Sequence, residues 1–517
     1  MSQRRSAIFA GLPDTTYDLL IVGGGITGAG IVRDAAGRGL RCLLVEKGDF
    51  ASGTSSKSGK LIHGGLRYLK YRQWRLVFEA CRERWLLQTR IAPHLVRRIQ
   101  FVVPCYENSR TPRWLLALGL LMYELLALGR NRGHFRILSP RRLAELEPEL
   151  DRTDCRGGVS YSDCAALDFR LVIDTLKSAE RDGAHSINYA EIEHLEKTAS
   201  GFTATIRDTL SGERHLARSQ CVINAAGPWA DDVQMRFGAT ERFGMKLAIG
   251  IHLGVSRTRL PARETTALEI PQDGRMIYVV PWDQNVLIGT TDTFYAGDKD
   301  ALPITADAVE YLLAGVNRYF PRASLTPADV LASFVGARPL LGGAGGESED
   351  AVSRDYEIAC SGPGQWAITG GKLTTYRAMA QDLVDRVVRK EFPNRRLPSC
   401  STTNPLASAV QPLPANATAS LRELWQSYGS EALLIESMIC ESRELGSKID
   451  DRAPFRWAEV LYVLKNEYVE RIDDLVDRRL GGFLLAPDAL LREKIESWLR
   501  LRQESGLTNC EFAESRP

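Results

Sequence analysis

Apolar and polar positions in the first fifty residues predict a βαβ unit. "YDLLIVGGG" (17–25) begins with a short apolar run without helical period and ends at three glycines, which is typical of a fully buried parallel strand. "ITGAGIVRDAAGRG" then carries apolar residues at helical spacing, and "LRCLLVEK" predicts a second buried strand. The two strands and the helix fit the length of one βαβ unit.

Further along the chain, the pattern changes from helical to strand-like and back. Residues 70–100 predict an amphipathic helix that ends near Pro93, and residues 140–160 predict a helix followed by a turn-rich connection. Residues 202–227 alternate as a β-hairpin does, and residues 243–300 contain strands separated by Gly, Pro and Asp turns. "GQWAITGGKLTTYR" (364–377) then predicts a strand, a glycine pair and the start of a helix.

The turn between the first strand and the first helix carries a glycine motif. Gly23-Gly24-Gly25-Ile26-Thr27-Gly28 matches G-x-G-x-x-G, and Glu46 ends the second strand. In such a turn Gly23 makes the tight bend, Gly25 lets the backbone approach a pyrophosphate, and Gly28 allows close packing of the helix on the strand. Glu46 would accept hydrogen bonds from an adenosine ribose. The motif therefore predicts a dinucleotide site.

Two later segments distinguish a flavin from a nicotinamide dinucleotide. "CVINAAGPW" (221–229) and "WAITGGKLTTYR" (366–377) each run from a strand into a glycine-containing turn. A cofactor that lies extended across a discontinuous domain needs backbone contacts this far apart in sequence. The pattern therefore favours FAD over NAD.

Together these patterns predict a mixed α/β fold. It comprises a Rossmann-like FAD-binding domain, an antiparallel β-rich substrate domain and a C-terminal all-helical domain. The predicted segments are 17–105, 166–242 and 331–395 for the FAD-binding domain, 106–165 for a substrate or cap segment, 243–330 for the β-rich domain, 396–420 for a linker, and 421–517 for the helical domain.

Composition excludes several classes of protein. The 517 residues include 66 basic and 64 acidic side chains, and this balance is not that of a nucleic-acid-binding protein. The ten cysteines form no C-x-x-C pair, so no zinc site or disulfide framework is predicted. Residues 1–18 contain no apolar run long enough for a signal peptide, which favours a reducing, cytoplasmic location.

Residues 113–130 form the most apolar stretch of the chain. The apolar part, Trp114–Leu128, is interrupted by Glu124 and is shorter than the ~20 residues that a membrane span requires. It is interpreted either as a buried or interdomain helix, or as a helix whose apolar face rests on a membrane. The flanking basic residues are Arg113, Arg130 and Arg132.

Seven polar residues are candidates for substrate binding and catalysis: Arg67, Tyr68, His252, Asp292, Arg338, Arg354 and Lys372. Arginine binds phosphate in bidentate geometry, so several arginines together predict a phosphate site, although a single arginine is usually a solvated surface residue. Lys372 follows a glycine pair at a predicted helix N-terminus. His252 stands alone in an apolar strand, where a catalytic base and a hydrogen-bonded core histidine are both open interpretations.

Several motifs follow one another in a fixed order. They are "TSSKSGKLIHGGLRYL", "YSDCAALDFRLV", "NAAGPW", "IGTTDT", "VGARPLL", "SRDYEI", "GGKLTTYR" and the C-terminal "VLYVLKNEYVERIDDLVDRR". Together they resemble the FAD-dependent (aerobic, respiratory) glycerol-3-phosphate dehydrogenases of the D-amino-acid-oxidase-like flavoproteins, over nearly the whole chain. The sequence departs from that pattern at Gly59, where serine is usual, and at Ile249, where lysine is frequent.

The resemblance implies oxidation of sn-glycerol 3-phosphate to dihydroxyacetone phosphate. Hydride would pass from C2 to N5 of a non-covalently bound FAD, and electrons would then pass to a membrane quinone. Arg338 would bind the reacting hydroxyl or its developing alkoxide, and His252 would be the base, although which of the two dominates is left open. The implied phosphate and substrate contacts are Arg67, Tyr68, Arg354, Lys372 and Asp292.

The residues expected to contact FAD come from six segments of the chain. They are Gly23, Gly25, Ile26, Thr27, Gly28, Glu46, Lys47, Thr54, Ser55, Ser56, Lys60, Leu61, His63, Gly64, Ala226, Gly227, Gly371, Lys372, Leu373 and Thr374. Peripheral attachment to the cytoplasmic face of the inner membrane is also implied, and the oligomeric state is left open, with a homodimer as one option.

Three alternative functions remain open at this point. One is a soluble glycerol-3-phosphate oxidase that reduces O2. Another is an amine- or amino-acid-oxidising flavoenzyme, which would recognise a carboxylate with one arginine and would not need several cations. The third is a non-enzymatic flavin-binding protein.

Overall fold

The computed structural model describes residues 3–131, 133–239, 242–341, 355–397, 403–450, 453–481 and 488–504. Its helices are α1 (Gln3–Gly11), α2 (Ile26–Gly37), α3 (Trp74–Leu86), α4 (Arg113–Ala127), α5 (Pro140–Leu146), α6 (Asp168–Arg181), α7 (Ala230–Arg236), α8 (Ala306–Tyr319), α9 (Tyr376–Glu391), α10 (Ala419–Tyr428), α11 (Ala432–Glu441), α12 (Trp457–Asn466) and α13 (Asp488–Glu504).

The strands of the described ranges are β1 (Thr16–Val22), β2 (Cys42–Val45), β3 (Leu61–Ile62), β4 (Arg97–Tyr106), β5 (Arg136–Leu138), β6 (Cys155–Ala165), β7 (His185–Ile187), β8 (Ala190–Thr198), β9 (Gly201–Asp208), β10 (Arg214–Asn224), β11 (Lys246–Ser256), β12 (Thr265–Glu269), β13 (Met276–Trp282), β14 (Asn285–Gly289), β15 (Thr293–Tyr295), β16 (Val330–Leu340), β17 (Tyr356–Gly362), β18 (Gln365–Gly370), β19 (Lys448–Asp450) and β20 (Ala453–Arg456).

The first sheet has the order β17-β18-β10-β1-β2-β7, and β8 and β9 extend it from β10. The pairs of β1 with β2 and β10, of β10 with β18, and of β2 with β7 are parallel. Because a parallel strand is buried on both faces, β1 and β2 are apolar along most of their length. Helix α2 lies against α6 and α9 on this sheet, and their apolar faces form the largest core cluster. The predicted Rossmann-like unit is confirmed.

The second sheet has the order β15-β11-β14-β13-β12-β4-β6-β3, with β16 paired to β11 and β5 paired to β6. Most of its pairs are antiparallel, as expected for the β-rich region, and α8 covers one face. The predicted boundary at 105/106 falls on the last residues of β4, and the boundary at 330/331 falls at the start of β16. The division of the chain into seven segments therefore stays a prediction.

The C-terminal region builds its own core from α10, α11, α12 and α13. The prediction that it is helical throughout is wrong in one place, because β19 and β20 form a small antiparallel pair. The expected linker is also not free of the body of the protein, since Leu406 and Ser408 are buried.

One local prediction is wrong for a physical reason. The helix expected to end near Pro93 agrees with α3 and the helical segment Leu87–Ile91 that follows it, whereas residues 155–160, expected in a connection, belong to β6 and pair with β4. That pair joins residues 49 to 68 positions apart, from Tyr106 with Cys155 to Arg97 with Ala165, so a local sequence window contains no information about it. Long-range pairing overrides the local period.

Candidate functional site

The glycine turn after β1 leads directly into the N-terminus of α2. Gly23 has a φ of +112°, and a Cβ there would lie 2.6 Å from the carbonyl oxygen of Ala225 on the neighbouring chain segment. A Cβ on Gly28 would lie 1.9 Å from the carbonyl oxygen of Gly23, so the helix packs as closely as the motif predicts. The Ile26 backbone N–H donates to Ser55 Oγ at 2.9 Å. The turn therefore presents backbone at the positive end of a helix, where a pyrophosphate binds.

Glu46 closes the same end of the site. Its carboxylate accepts hydrogen bonds from the backbone N–H groups of Gly24 at 2.7 Å and Gly48 at 2.9 Å. Burial raises the pKa of Glu46, against the lowering effect of these two hydrogen bonds. The carboxylate is thus fixed beside the glycine turn, in the position expected for the ribose contact.

One large cavity of about 1240 Å³ begins at this turn and extends to the second sheet. We refer to it as the central cavity. Its wall contains, among the predicted residues, Gly23, Gly25, Ile26, Thr27, Glu46, Lys47, Thr54, Ser55, Leu61, His63, Arg67, Tyr68, Ala226, Gly227, His252, Asp292, Arg338, Gly371, Lys372, Leu373 and Thr374. Segments that are distant in sequence therefore meet around one space that runs from the glycine turn to the second sheet, as an extended dinucleotide requires.

Four of the predicted FAD contacts lie behind this wall. Lys60 is fully buried, and its Nζ donates to Asp168 Oδ1 at 2.7 Å and to the Ser56 carbonyl at 2.5 Å. The Gly64 backbone N–H donates to Tyr123 Oη at 2.9 Å. The geometry gives Lys60, Ser56 and Gly64 supporting positions, because their polar groups are turned toward the protein interior. Gly28, the fourth, has the packing role described above.

Several cavity residues escaped the sequence analysis. Lys57, Tyr161, Tyr278, Thr290 and Phe334 all line the wall. Most of them reach the cavity wall through the strand pairing of the second sheet, and this pairing cannot be predicted from a local sequence pattern. Trp229 also lines the cavity, and its place at the end of the "NAAGPW" motif was a signal that could have identified it.

His252 lies on β11 with its ring stacked on Phe334, at 4.9 Å between ring centroids. Its side chain is buried, and its Nδ1 has no hydrogen-bond partner among the residues that the structure describes. Burial lowers its pKa well below the usual value, and the positive charges of Arg338 and Lys60 add to this effect. A neutral imidazole that lines a cavity differs from a hydrogen-bonded core histidine, and this geometry favours the interpretation as a base.

Arg338 projects from β16, which pairs with the strand of His252. Its Nη1 donates to Asp292 Oδ1 at 3.0 Å, and its Nη2 donates to Thr290 Oγ1 at 2.9 Å. These two contacts fix the plane of the guanidinium next to the cavity. Asp292 therefore orients Arg338, in addition to lining the cavity itself.

A cationic cluster lines the same cavity, and we refer to the part of the cavity lined by this cluster and by His252 and Arg338 as the substrate end. Lys372 Nζ lies 3.5 Å from the centroid of the Tyr68 ring, and the Arg67 guanidinium carbon lies 5.9 Å from the same centroid. Burial lowers the pKa of His63 to about 4, and Lys372 and Arg67 contribute to the lowering. This cluster suits an anionic group of the substrate. Arg354, which was predicted to belong to it, lies outside the described residues.

Helix α4 is buried on one side only. Leu120, Tyr123 and Ala127 are buried, whereas the side chain of Trp114 is 68% exposed and that of Leu125 is 64% exposed. The interpretation as a buried helix is therefore wrong, the interpretation as an interdomain helix stays a prediction, and an apolar face is exposed. Within the described ranges, no helix has the length and apolar character needed to cross a membrane.

Comparison with known proteins gives one consistent result. The FAD dependent oxidoreductase family model matches residues 18–377, and the C-terminal domain of alpha-glycerophosphate oxidase matches residues 365–496. A glycerol-3-phosphate dehydrogenase of Synechocystis sp. is 35% identical over 514 residues, which cover 93% of this chain and 91% of the relative. An aerobic glycerol-3-phosphate dehydrogenase of Staphylococcus aureus is 36% identical over 389 residues, covering 75% of this chain and 70% of the relative.

A solved structure extends this likeness to the fold. The glycerol-3-phosphate dehydrogenase from Bacillus halodurans complexed with FAD has a TM-score of 0.76 and 28% identity, and the match covers 98% of this chain and 94% of that chain. The L-alpha-glycerophosphate oxidase from Mycoplasma pneumoniae, with a TM-score of 0.58 and 22% identity, supports the fold alone.

Proposed function

The chain belongs to the FAD-dependent oxidoreductase family, in its glycerol-3-phosphate dehydrogenase branch, and on that premise we propose that it oxidises sn-glycerol 3-phosphate to dihydroxyacetone phosphate. The observation that carries the proposal is a single cavity that joins a dinucleotide turn to two separate polar groups. One group is the cationic cluster of Arg67 and Lys372 around Tyr68, and the other is the pair of His252 and Arg338. The first suits a phosphate and the second suits a reacting alcohol.

His252 and Arg338 have different roles in the proposed oxidation of a secondary alcohol. The chemistry that bound FAD supplies is acceptance of the hydride from C2. The C2 hydroxyl must lose its proton as the hydride leaves, and the neutral His252 ring is able to accept that proton. Arg338, held by Asp292 and Thr290, stabilises the negative charge that develops on the oxygen. A preorganised donor of this kind loses little energy to reorganisation during the reaction.

The residues of the first group position the substrate. Arg67 and Lys372 bring two positive charges to one aromatic ring, and a phosphate dianion compensates both. An amine substrate with a single carboxylate needs fewer cations. The same cluster therefore favours a phosphorylated alcohol over an amino acid.

Anaerobic reduction of the bound flavin tests the reaction. Glycerol 3-phosphate added to the purified protein without oxygen should bleach the visible flavin absorption. The variant Arg338→Ala should keep bound FAD but bleach far more slowly, while glycerol without phosphate should bleach neither protein. If the wild-type flavin stays oxidised in the presence of glycerol 3-phosphate, the proposed reaction is wrong.

We further propose a membrane quinone as the electron acceptor, reached by an enzyme that rests on the cytoplasmic face of the membrane. The exposed apolar face of α4, with Trp114, Leu118 and Leu125, supports this proposal. Reoxidation of the reduced protein by a short-chain quinone should be much faster than reoxidation by O2. The opposite order of rates would make the protein an oxidase.

Membrane contact is tested with phospholipid vesicles and two matched variants. Leu125→Glu places a charge on the α4 face, and Leu434→Glu places the same charge on an equally exposed position of α11, where the two leucines are 64% and 59% exposed. Sedimentation with vesicles should decrease for Leu125→Glu and remain unchanged for Leu434→Glu. If wild type and Leu125→Glu bind vesicles equally well, α4 does not contact the membrane and this proposal is wrong.

A further inference from the structure

The loop that follows β2 has two faces, and only one of them belongs to the central cavity. Glu46, Lys47 and Gly48 line the cavity, and so do residues 51–55. Asp49 and Phe50 are not part of that lining, although both are buried. Their side chains point away from the cavity and contact the C-terminal helical region. The loop is thus enclosed between the cofactor space and the C-terminal region.

Two arginines of the C-terminal region bind Asp49. Arg479 donates from Nη1 and Nη2 to the two carboxylate oxygens of Asp49, each at 2.7 Å, and Arg478 Nε donates to Oδ2 at 2.5 Å. The side chains of Asp49 and Arg479 are 1% and 0% exposed. Burial acts to raise the pKa of Asp49, but Arg479 and Arg478 outweigh it and hold this pKa below its usual value. The pair stays charged and desolvated, so its geometry is strongly determined.

Arg479 is itself fixed by the backbone of its own region. Its Nε donates to the Glu467 carbonyl at 2.6 Å. The ring of the next residue, Tyr468, meets the ring of Phe50 edge to face, with 5.0 Å between centroids. Asn188 Nδ2 joins the two sides, because it donates to Asp49 Oδ1 at 3.0 Å and to the Tyr468 carbonyl at 2.9 Å.

A second set of contacts holds the cavity side of the loop. The Tyr189 backbone N–H donates to the Gly48 carbonyl at 2.7 Å, and Tyr189 Oη donates to Asp474 Oδ1 at 2.6 Å. The Ala51 backbone N–H donates to the Gly24 carbonyl at 3.0 Å, which joins the loop to the glycine turn. The C-terminal region is therefore connected through buried hydrogen bonds to both Glu46 and the glycine motif.

We propose that the C-terminal helical region controls the affinity for FAD, with Arg479 as a positioning residue that acts through Asp49. The Arg479–Asp49 pair holds the loop of residues 46–55 in the conformation that receives the adenosine half of FAD. This gives the C-terminal region a role in cofactor retention in addition to its own fold. The role does not depend on which substrate is oxidised, so failure of this proposal leaves the proposed reaction unaffected.

The chain offers a matched control in the same interface. Arg170 of α6 donates to the two carboxylate oxygens of Glu467 at 2.5 and 2.8 Å, and both side chains are as buried as those of Arg479 and Asp49. Neither Arg170 nor Glu467 lines the central cavity. Arg479→Met and Arg170→Met therefore each remove a buried bidentate contact between the body of the protein and its C-terminal region, but only Arg479 binds a side chain of the FAD loop.

The experiment measures FAD binding and stability separately in the full-length protein. Apoprotein of each variant is titrated with FAD while flavin fluorescence is followed, and its free energy of unfolding is measured in urea. Both variants should lose a similar amount of stability, but the dissociation constant for FAD should be about tenfold or more higher in Arg479→Met than in Arg170→Met. A smaller ratio would show that the pair only stabilises the interface, and it would overturn the proposal.

A milder pair of variants covers the case in which either methionine variant does not fold. Asp49→Asn and Glu467→Gln remove a carboxylate charge and preserve side-chain size. The dissociation constant for FAD should then be about threefold or more higher in Asp49→Asn than in Glu467→Gln. A ratio below this value overturns the proposal.

Discussion

Two cations meet one tyrosine ring at the substrate end of the central cavity. Lys372 Nζ lies over the Tyr68 ring, and the Arg67 guanidinium lies near the same ring. Cations placed side by side attract a phosphate, which accepts hydrogen bonds from both. Under the proposed function, this cluster binds the substrate phosphate and selects for it.

Arg67→Ala should weaken substrate binding much more than cofactor binding. Loss of a charged hydrogen-bond donor to phosphate should raise the KM for glycerol 3-phosphate about 10- to 100-fold. The FAD dissociation constant should stay close to the wild-type value, because Arg67 lies at the substrate end. The exposed Arg75 on α3 provides a control, and Arg75→Ala should change neither constant. Equal effects on the two constants in Arg67→Ala would place Arg67 at the cofactor.

His252→Gln tests the assignment of the base. General-base catalysis contributes about 100- to 10,000-fold, so kcat should fall within that range while FAD binding is kept. Because the pKa of His252 lies well below its usual value, wild-type kcat at saturating substrate should not decrease as pH falls to about 6.5. A kcat in His252→Gln within about threefold of wild type would assign proton removal to another group.

Single residues were predictable wherever a local motif defines their role. The glycine turn, Glu46 and the "GGKLTTYR" segment lie where the sequence indicated. Lys60 shows the limit, because its partner Asp168 is 108 residues away and determines that the ammonium group points inward. A local sequence pattern does not predict which of several charged residues in one motif forms a buried ion pair.

At the scale of elements, the Lys60–Asp168 pair attaches the loop of residues 56–60 to the N-terminus of α6. Both side chains are fully buried. Lys60→Met leaves the Asp168 carboxylate buried without its cation, and this should lower the free energy of unfolding by about 3–5 kcal/mol. Urea unfolding of the two proteins measures the difference.

An exposed ion pair provides the matched comparison for this change. Lys47 pairs with Asp300 at 2.7 Å, and their side chains are 40% and 62% exposed. Lys47→Met should therefore change the free energy of unfolding of the apoprotein by less than about 1 kcal/mol. If Lys60→Met costs no more than Lys47→Met, the buried pair does not hold the loop.

Helices and strands were predictable from the sequence where the burial of their own faces determines the spacing of their apolar residues. The first βαβ unit and the hairpin of β9 with β10 agree with the predicted periods. The amphipathic pattern that begins at residue 70 predicts a helix ending near Pro93, in agreement with α3 and the helical segment Leu87–Ile91, whereas the strand at residues 155–160 was missed because β6 is fixed by its pairing with β4. A strand that is defined by a distant partner has no signal of its own.

At the scale of the whole molecule, the fold class was predictable and the arrangement of the segments was not. Strands β3, β4 and β6 precede the strands of the β-rich region by many residues, yet they complete the same sheet. The central cavity forms only when this sheet meets the first one. Sequence reasoning could therefore name most residues of the site, whereas the pairing of distant strands decides how they face each other.

The half-buried His63 couples folding to pH. Burial lowers the pKa of His63 from 6.5 to about 4, so His63 remains neutral in the folded protein while an unfolded histidine takes up a proton below about pH 6.5. The unfolded state then binds more protons, and stability should be complete above pH 6.5 and decrease as pH falls toward 4. For His63 alone the loss is on the order of 3 kcal/mol over this range.

The difference between wild type and His63→Gln isolates this effect. Burial raises the pKa of Glu147 and Glu459 to about 7, and these two groups oppose the histidine effect equally in both proteins. Urea unfolding at saturating FAD should therefore show a gap that changes with pH: as pH falls from 6.5 to 4, wild type should lose stability relative to His63→Gln. A constant gap across this range would mean that His63 titrates normally in the folded state, and its burial among Lys372 and Arg67 would then not control its charge.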